Sequence, residues 1–471
     1  MDIKTAISNW VDAHRADIIA DISDLVAIKS VHGEPQPEMP FGEGPARALD
    51  AGLNLCKRFG LSVKNYDYYV GTADLIEGER VLDILGHLDV VGEGDGWETD
   101  PYTATIREDG YLYGRGTDDD KGPVVAVAYA MRAVKELGLP IRRNARLIMG
   151  TNEETGFDDL AHYYAVEQPA PNTFSPDASF PVYNTEKGSY KPTASKNWAA
   201  ETVLPRVIGL QGGYRINVLP ADAWAIVAGL SEEEVRSIAE KTAAELGVSV
   251  TVTPVETGIK LAVTGTSCHA CNPHEGNNGN TALIRILDTL PLTECTSTTA
   301  LHTLATLFPH GDNYGTAIGV AQEDAIAGRL TMVLTMIEAS DTGLTVRFDS
   351  RVPICATPEN CAKIVEGRLA AAEFTVEGGM EPTHHTPADS PFIKTLLRCY
   401  ETYTGKPGEC CSMGGGTYVH YIEGGVAFGA GMPGFVSNLH GANEHICIED
   451  LLTACKIFAQ VIVDLCCDLN A

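Results

Sequence analysis

Two apolar runs constrain this chain most. "RVLDILGHLD" (residues 80–89) and "NARLIMGTNEE" (144–154) each read as a strand that ends abruptly in polar residues. Between them lies "DDKGPVVAVAYAMRAVKELG" (119–138), with Pro123 near a helix start, apolar residues at helical spacing and Gly138 as a stop. Strand, helix, strand with continuously apolar strands predicts a parallel sheet covered on both faces. In such sheets ligands gather at the carboxyl ends of strands. Both runs end in ionisable residues there, His87 and Asp89 in the first, Glu153 and Glu154 in the second.

The texture changes around residues 180–190, where "SFPVYNTEKGSYKPTASKNW" brings polar, Pro and Gly punctuation. Alternating strands ("IKLAVTG", "LTMVLTMIEASDTGLTVRFDSRV") and helices ("SEEEVRSIAEKTAAELG", "TPENCAKIVEGRLAAAEF") follow, the pattern of α+β units. After "MEPTHHTPADSP" the α/β pattern returns. Three segments are therefore expected: residues 1–185, an inserted domain over 186–384, and 385–471 completing the first domain. A chain of 471 residues is long enough for both cores. The N-terminal thirty residues read as one amphipathic helix and not as a secretion signal.

The formal net charge of -29 argues against nucleic acid or an anionic membrane as partner. No run has the length of a membrane span. The 13 cysteines follow no framework spacing, which fits reduced thiols and a cytoplasmic location. Cys268 and Cys271 have two residues between them, but no second pair answers them to complete a thiolate metal site.

Five segments carry candidate chemistry. Residues two apart in a strand face the same side, so His87 and Asp89 can converge on one point, as a metal ligand with its partner or as a simple hydrogen-bonded pair. In "GRGTDDDKGP" three aspartates, Asp118 to Asp120, precede a helix, and a helix cap needs fewer acids. Glu153 and Glu154 are adjacent like charges, costly without a cation unless the loop is solvated. Asp177 in "FSPDASFP" and His440 in "SNLHGANE" are unremarkable alone. Together, two histidines and several carboxylates with no thiolate suit two divalent ions about 3.5–4 Å apart, with one glutamate free as general base.

"GHLDVVGEGDGW", "YGRGTDDDKGP", "TNEETG", "SPDASFP", "GGGTY" and "HGANE" occur in the order and spacing of the M20 metallopeptidases, and the chain most resembles their PepV-type bacterial dipeptidases. The resemblance implies an α/β, zinc-peptidase-like catalytic domain with a mostly parallel sheet flanked by helices and an inserted α+β, ferredoxin-like lid. It implies His87, Asp119, Glu154, Asp177 and His440 as ligands of two metals, zinc first, manganese or cobalt as alternatives. Asp119 would bridge, although Asp118 and Asp120 are close enough to confuse the assignment. Glu153 would be the base and Asp89 its tuning partner.

In the lid the match falls on His269 for oxyanion stabilisation, and on Asn217 and Arg351 for substrate contact; His274 is a decoy. Gly414, Gly415 and Gly416 would let backbone N–H groups approach a substrate carboxylate, a role that tight-turn glycines imitate. The implied activity is hydrolysis of short peptides with a free N-terminus, by a monomer or homodimer. A deacylase for N-acyl-amino acids or succinyl-diaminopimelate-type substrates is the competing enzyme, and a non-catalytic binding protein is the reading from another class.

Overall fold

The computed structural model describes residues 2–469. The chain forms two compact units: Met1–Glu186 with His385–Ala471, and Lys187–His384. The breaks at 186/187 and 384/385 compare with the expected 185/186 and 384/385. The two crossings lie side by side. Asn184 and Thr386 exchange backbone and side-chain hydrogen bonds at 2.8 and 2.7 Å, and Thr185 Oγ1 lies 2.8 Å from His385 Nδ1.

The first unit is built on a mixed sheet. Arg80–His87 runs parallel to Asn144–Gly150 on one side and to Asn172–Ser175 on the other. The register pairs His87 with Gly150, so the two polar strand ends emerge together. An antiparallel hairpin, Ser62–Tyr66 and Val70–Asp74, extends the Asn144–Gly150 edge. On the far side Val426–Ala427 pairs parallel with Asn172–Ser175, and Cys410–Met413 with Val182–Glu186. The helices Lys121–Glu136 and Ile448–Cys466 pack against each other and the sheet, with nearly every apolar residue buried. That burial fits strands and helices whose sequences lack a polar face.

The N-terminal segment differs from the single helix expected: it is two helices, Ile3–Ala13 and Arg15–Val26, broken at His14. The His14 ring stacks on Trp10 at 3.8 Å, and its Nδ1 lies 2.7 Å from the Trp10 carbonyl, so side-chain contacts replace continued helix at the break.

The second unit is an antiparallel sheet in the order Ser249–Val255, Gly258–Thr264, Asp222–Ala228, Arg206–Gly212, Thr331–Ser340, Gly343–Val352, Gly188–Tyr190. The helix Glu232–Leu246 starts at a Ser231/Glu234 capping box and ends at left-handed Gly247, as its sequence dictates. Two further helices, Gly279–Thr289 and Thr296–Leu307, contribute to this unit's separate core. No helix among the described residues is long and apolar enough to cross a membrane.

Candidate metal centre

The carboxyl ends of Arg80–His87 and Asn144–Gly150, the loop before Lys121, and the loop carrying His440 supply one cluster. Two trios stand out: His87, Glu153 and Asp177, and Asp119, Glu154 and His440, with the potential ligand atoms of each within 4.8 Å of one another. Asp119 joins them. One of its oxygens is 2.8 Å from His87 Nε2 and the other 2.9 Å from His440 Nε2. His440 Nε2 is also 3.1 Å from Glu154, and His87 Nε2 is 3.7 Å from Asp177.

The His87 ring is fully buried, and its Nδ1 lies 3.0 Å from the Asp89 carbonyl oxygen. A proton held there leaves the Nε2 lone pair facing the cluster.

The neighbours of Asp119 point elsewhere. Asp120 is the helix N-cap residue, yet it makes no capping bond; its carboxylate accepts the backbone N–H of His87 at 3.1 Å. Asp118 is bonded to Ser437. The run of three aspartates thus serves three different partners, and only Asp119 faces both histidines.

The Glu–Glu turn is gripped through its backbone. The buried Asp89 carboxylate accepts the N–H of Glu153 on one oxygen and that of Glu154 on the other, both at 3.1 Å. Buried Asp159 accepts from the two preceding residues, Thr151 at 2.7 Å and Asn152 at 2.9 Å. Four consecutive amides are therefore held by two carboxylates from different segments. Asp159 is in turn bonded by the Tyr418 hydroxyl. That hydroxyl occupies the space a β-carbon at Gly150 would need, 1.9 Å away, which explains a glycine at the strand end.

Neither Asp159 nor Tyr418 stood out in the sequence, although Tyr418 closes the "GGGTY" stretch. Glu444 is the other residue that sequence reasoning missed. Fully buried, it accepts from the backbone N–H groups of Gly116, Asp118 and Asp119 at 2.9–3.2 Å and pairs with Arg115 at 2.6 Å. The available signal was the acid of "HGANE" itself, four residues after a candidate ligand. In that same loop Asn438, His440 and Asn443 adopt left-handed backbone, with φ of 57–59°. Strain of this kind concentrates where a side chain must be aimed.

The donor chemistry fits divalent ions. Burial pushes the carboxyls of Glu153 and Asp177 well above their usual range, and neighbouring acids push them further. Burial works against charge on His440, but Asp119 and Glu154 outweigh it and raise its pKa to about 11. So many acids around two imidazoles, with no thiolate, form a set suited to zinc, manganese or cobalt.

Other expected positions lie elsewhere in the chain. Gly414, Gly415 and Gly416 follow the strand Cys410–Met413 in the first unit, with a bend at Gly414 and Gly415, and none is among the glycines with left-handed φ. The second unit brings Asn217 and His269 together: Val218 pairs with His269, and the Ala270 N–H donates to the Asn217 carbonyl at 2.9 Å. His269 is exposed. Arg351 is buried and held by Asp349 through two bonds of 2.7 and 2.9 Å. The Cys271 thiol, two residues beyond His269, is raised by burial and pulled back by Arg351, which puts the guanidinium within electrostatic reach of that loop. All 13 cysteines are free, and among the described residues no candidate metal group contains one.

Comparison with known proteins decides the family. The model of peptidase family M20/M25/M40 matches residues 84–464. The chain belongs to that family. It is thus a hydrolase of metallopeptidase type, with the α/β catalytic domain and inserted lid of M20 structures. It is 34% identical to the putative dipeptidase YtjP of Bacillus subtilis, over 97% of this chain and 99% of that one. It is 32% identical to the Beta-Ala-Xaa dipeptidase of Lactobacillus delbrueckii subsp. lactis, over 96% and 97%. Human carnosine dipeptidase 1 has a similar fold, with a TM-score of 0.60 at 16% identity over 99% of both chains. So does the yeast dipeptidase Dug1p, with a TM-score of 0.59 at 13% identity over 98% of both.

Proposed function

We propose that this M20 member is an aminodipeptidase that hydrolyses the peptide bond of short peptides with a free N-terminus. The observation that carries the reading is the geometry of Asp119, one oxygen toward each histidine of two separate ligand trios. The names of relatives in which a dipeptidase recurs support the substrate class.

His87 and Asp177 would hold one divalent ion and Glu154 and His440 the other, with Asp119 between them; zinc is the first choice. Two ions bound there supply Lewis acidity toward the peptide carbonyl and make a water acidic enough to attack near neutral pH. Glu153 accepts the water's proton and delivers it to the leaving nitrogen. Asp89 fixes the backbone that aims both glutamates.

The unit Lys187–His384 would be the lid and the remainder the catalytic domain. Oxyanion stabilisation by His269, and substrate contacts by Asn217, Arg351 and Gly414 to Gly416, rest on resemblance to the family and on the clustering of the first three within one unit. The 13 free cysteines support a cytoplasmic location.

The test is a panel of dipeptides and N-acyl-amino acids given to protein loaded in turn with Zn²⁺, Mn²⁺ and Co²⁺, with metal content measured on each. Turnover of dipeptides by protein carrying two ions per chain is expected. Turnover confined to acylated compounds would replace this reading with the deacylase one.

A further inference from the structure

The metal-ligand cluster borders two cavities of the first unit, and different members of the cluster face each. Glu153 lines a cavity of about 680 Å³ whose apolar wall includes Phe157, Leu160, Ala161 and Tyr421. Asp119 and Asp177, with Asp118, line another of about 500 Å³. The two differ in chemistry. The second presents three carboxyl groups, an environment for a cation. In the first, hydrophobic side chains prevail, and its acids are Glu153 and Asp158, an exposed residue in the first turn of the helix Asp158–Tyr164.

The apolar wall is held in place. The Phe157 ring lies 5.2 Å from Tyr418, the same tyrosine that bonds Asp159, and 5.8 Å from Tyr421. Leu160 is buried beneath it.

A peptide whose scissile bond lies at the cluster has two sides, and the proton transfer distinguishes them. A base that returns its proton to the leaving nitrogen must sit close to that nitrogen. Glu153 therefore marks the leaving side, and the cavity it lines is the one that the departing residue meets first. We propose that this cavity is a subsite for an apolar or aromatic side chain on the leaving, C-terminal residue of the dipeptide. The proposal rests on the dipeptidase reading. Asp158 and Glu153 at its edge disfavour acidic side chains there.

The experiment compares kcat/KM of the zinc-loaded full chain for Gly-Leu, Gly-Phe, Gly-Glu, Leu-Gly and Gly-Gly. For the native protein, Gly-Leu and Gly-Phe are expected to exceed Gly-Gly by about tenfold or more, and Gly-Glu to fall below Gly-Leu. Ala161→Trp fills the cavity from an exposed helical position, and it is expected to lower the Gly-Leu to Gly-Gly ratio by about tenfold while the Leu-Gly to Gly-Gly ratio holds. Tyr421→Ala, at a side chain that is 60% exposed, removes a wall without cutting into the core and should also lower the first ratio.

Dipeptide turnover with a Gly-Leu to Gly-Gly ratio untouched by both folded variants overturns the subsite and leaves the peptidase reading standing. So does a loss that falls on Leu-Gly instead. Failure of the native, metal-loaded protein to cleave any of the five overturns both.

Discussion

The residues expected to act on substrate are supported in opposite ways in the two units. In the first, His87, Asp119, Glu153 and Glu154 sit at strand ends and loops whose amides are bound by buried carboxylates: Asp120 under His87, Glu444 under Asp119, and Asp89 under Glu153 and Glu154, with Asp159 under the two residues before them. In the second, Asn217 and His269 lie beside a two-residue pairing, with His269 exposed, while Arg351 is clamped by buried Asp349. A centre that binds cations must hold many like charges against their repulsion before any ion arrives, whereas a group that meets a passing substrate needs reach. The contrast teaches that rigidity has been concentrated where charge is densest.

Removing the base probes the first unit hardest. Glu153→Gln should lower kcat by about two to four orders of magnitude, with metal content unchanged by elemental analysis. A folded variant that kept full activity would show that another group moves the proton.

The support beneath the ligands comes next. Glu444→Ala removes the acceptor of three backbone amides and the carboxylate paired with Arg115, and should weaken metal binding by about 10–100-fold in competition titrations with a chromophoric chelator. Glu444→Gln keeps an acceptor oxygen and should recover part of that loss, which a purely global destabilisation would not predict. Tyr418→Phe leaves Asp159 without its hydroxyl donor and should cost about 1–3 kcal/mol in denaturant unfolding; a change near zero would mean that the Gly150–Tyr418 contact is steric alone.

The smallest effect belongs to the second unit. His269→Ala should alter unfolding stability by no more than about 0.5 kcal/mol while reducing kcat, as suits an exposed side chain with a role in turnover. A large loss of stability would erase the contrast between the units.

Much of the first unit was legible because its signals are local. The strands around 80–89 and 144–150, the helix after Asp120 and the insertion boundaries each announce themselves by apolar continuity or punctuation. The Glu232–Leu246 helix was readable from its caps. The break at His14 was not, because a histidine stacking on Trp10 leaves no periodicity signal. The helices Gly279–Thr289 and Thr296–Leu307 were also obscured, the first by its Gly and Asn start and the second by its threonines, residues that weaken helix propensity until packing overrides it. In the cluster, residue types and order pointed to the side chains that the fold brings together, but nothing in "DDD" separates Asp119 from its neighbours. That distinction needs partners as distant in sequence as Ser437 and His440. Glu444, Asp159 and Tyr418 act through backbone amides, and a residue that grips the main chain leaves no trace in the side chains it serves.

The paired crossings between Asn184–Glu186 and His385–Thr386 bear on how the molecule can be taken apart. A segment whose entry and exit are hydrogen-bonded neighbours leaves almost no gap when it is cut out, so a short glycine linker from 186 to 385 should let the first unit be made as a single uninterrupted polypeptide. The excised piece starts and finishes at one point and can be expressed separately, recircularised at a new terminus, or exchanged between relatives as a cassette.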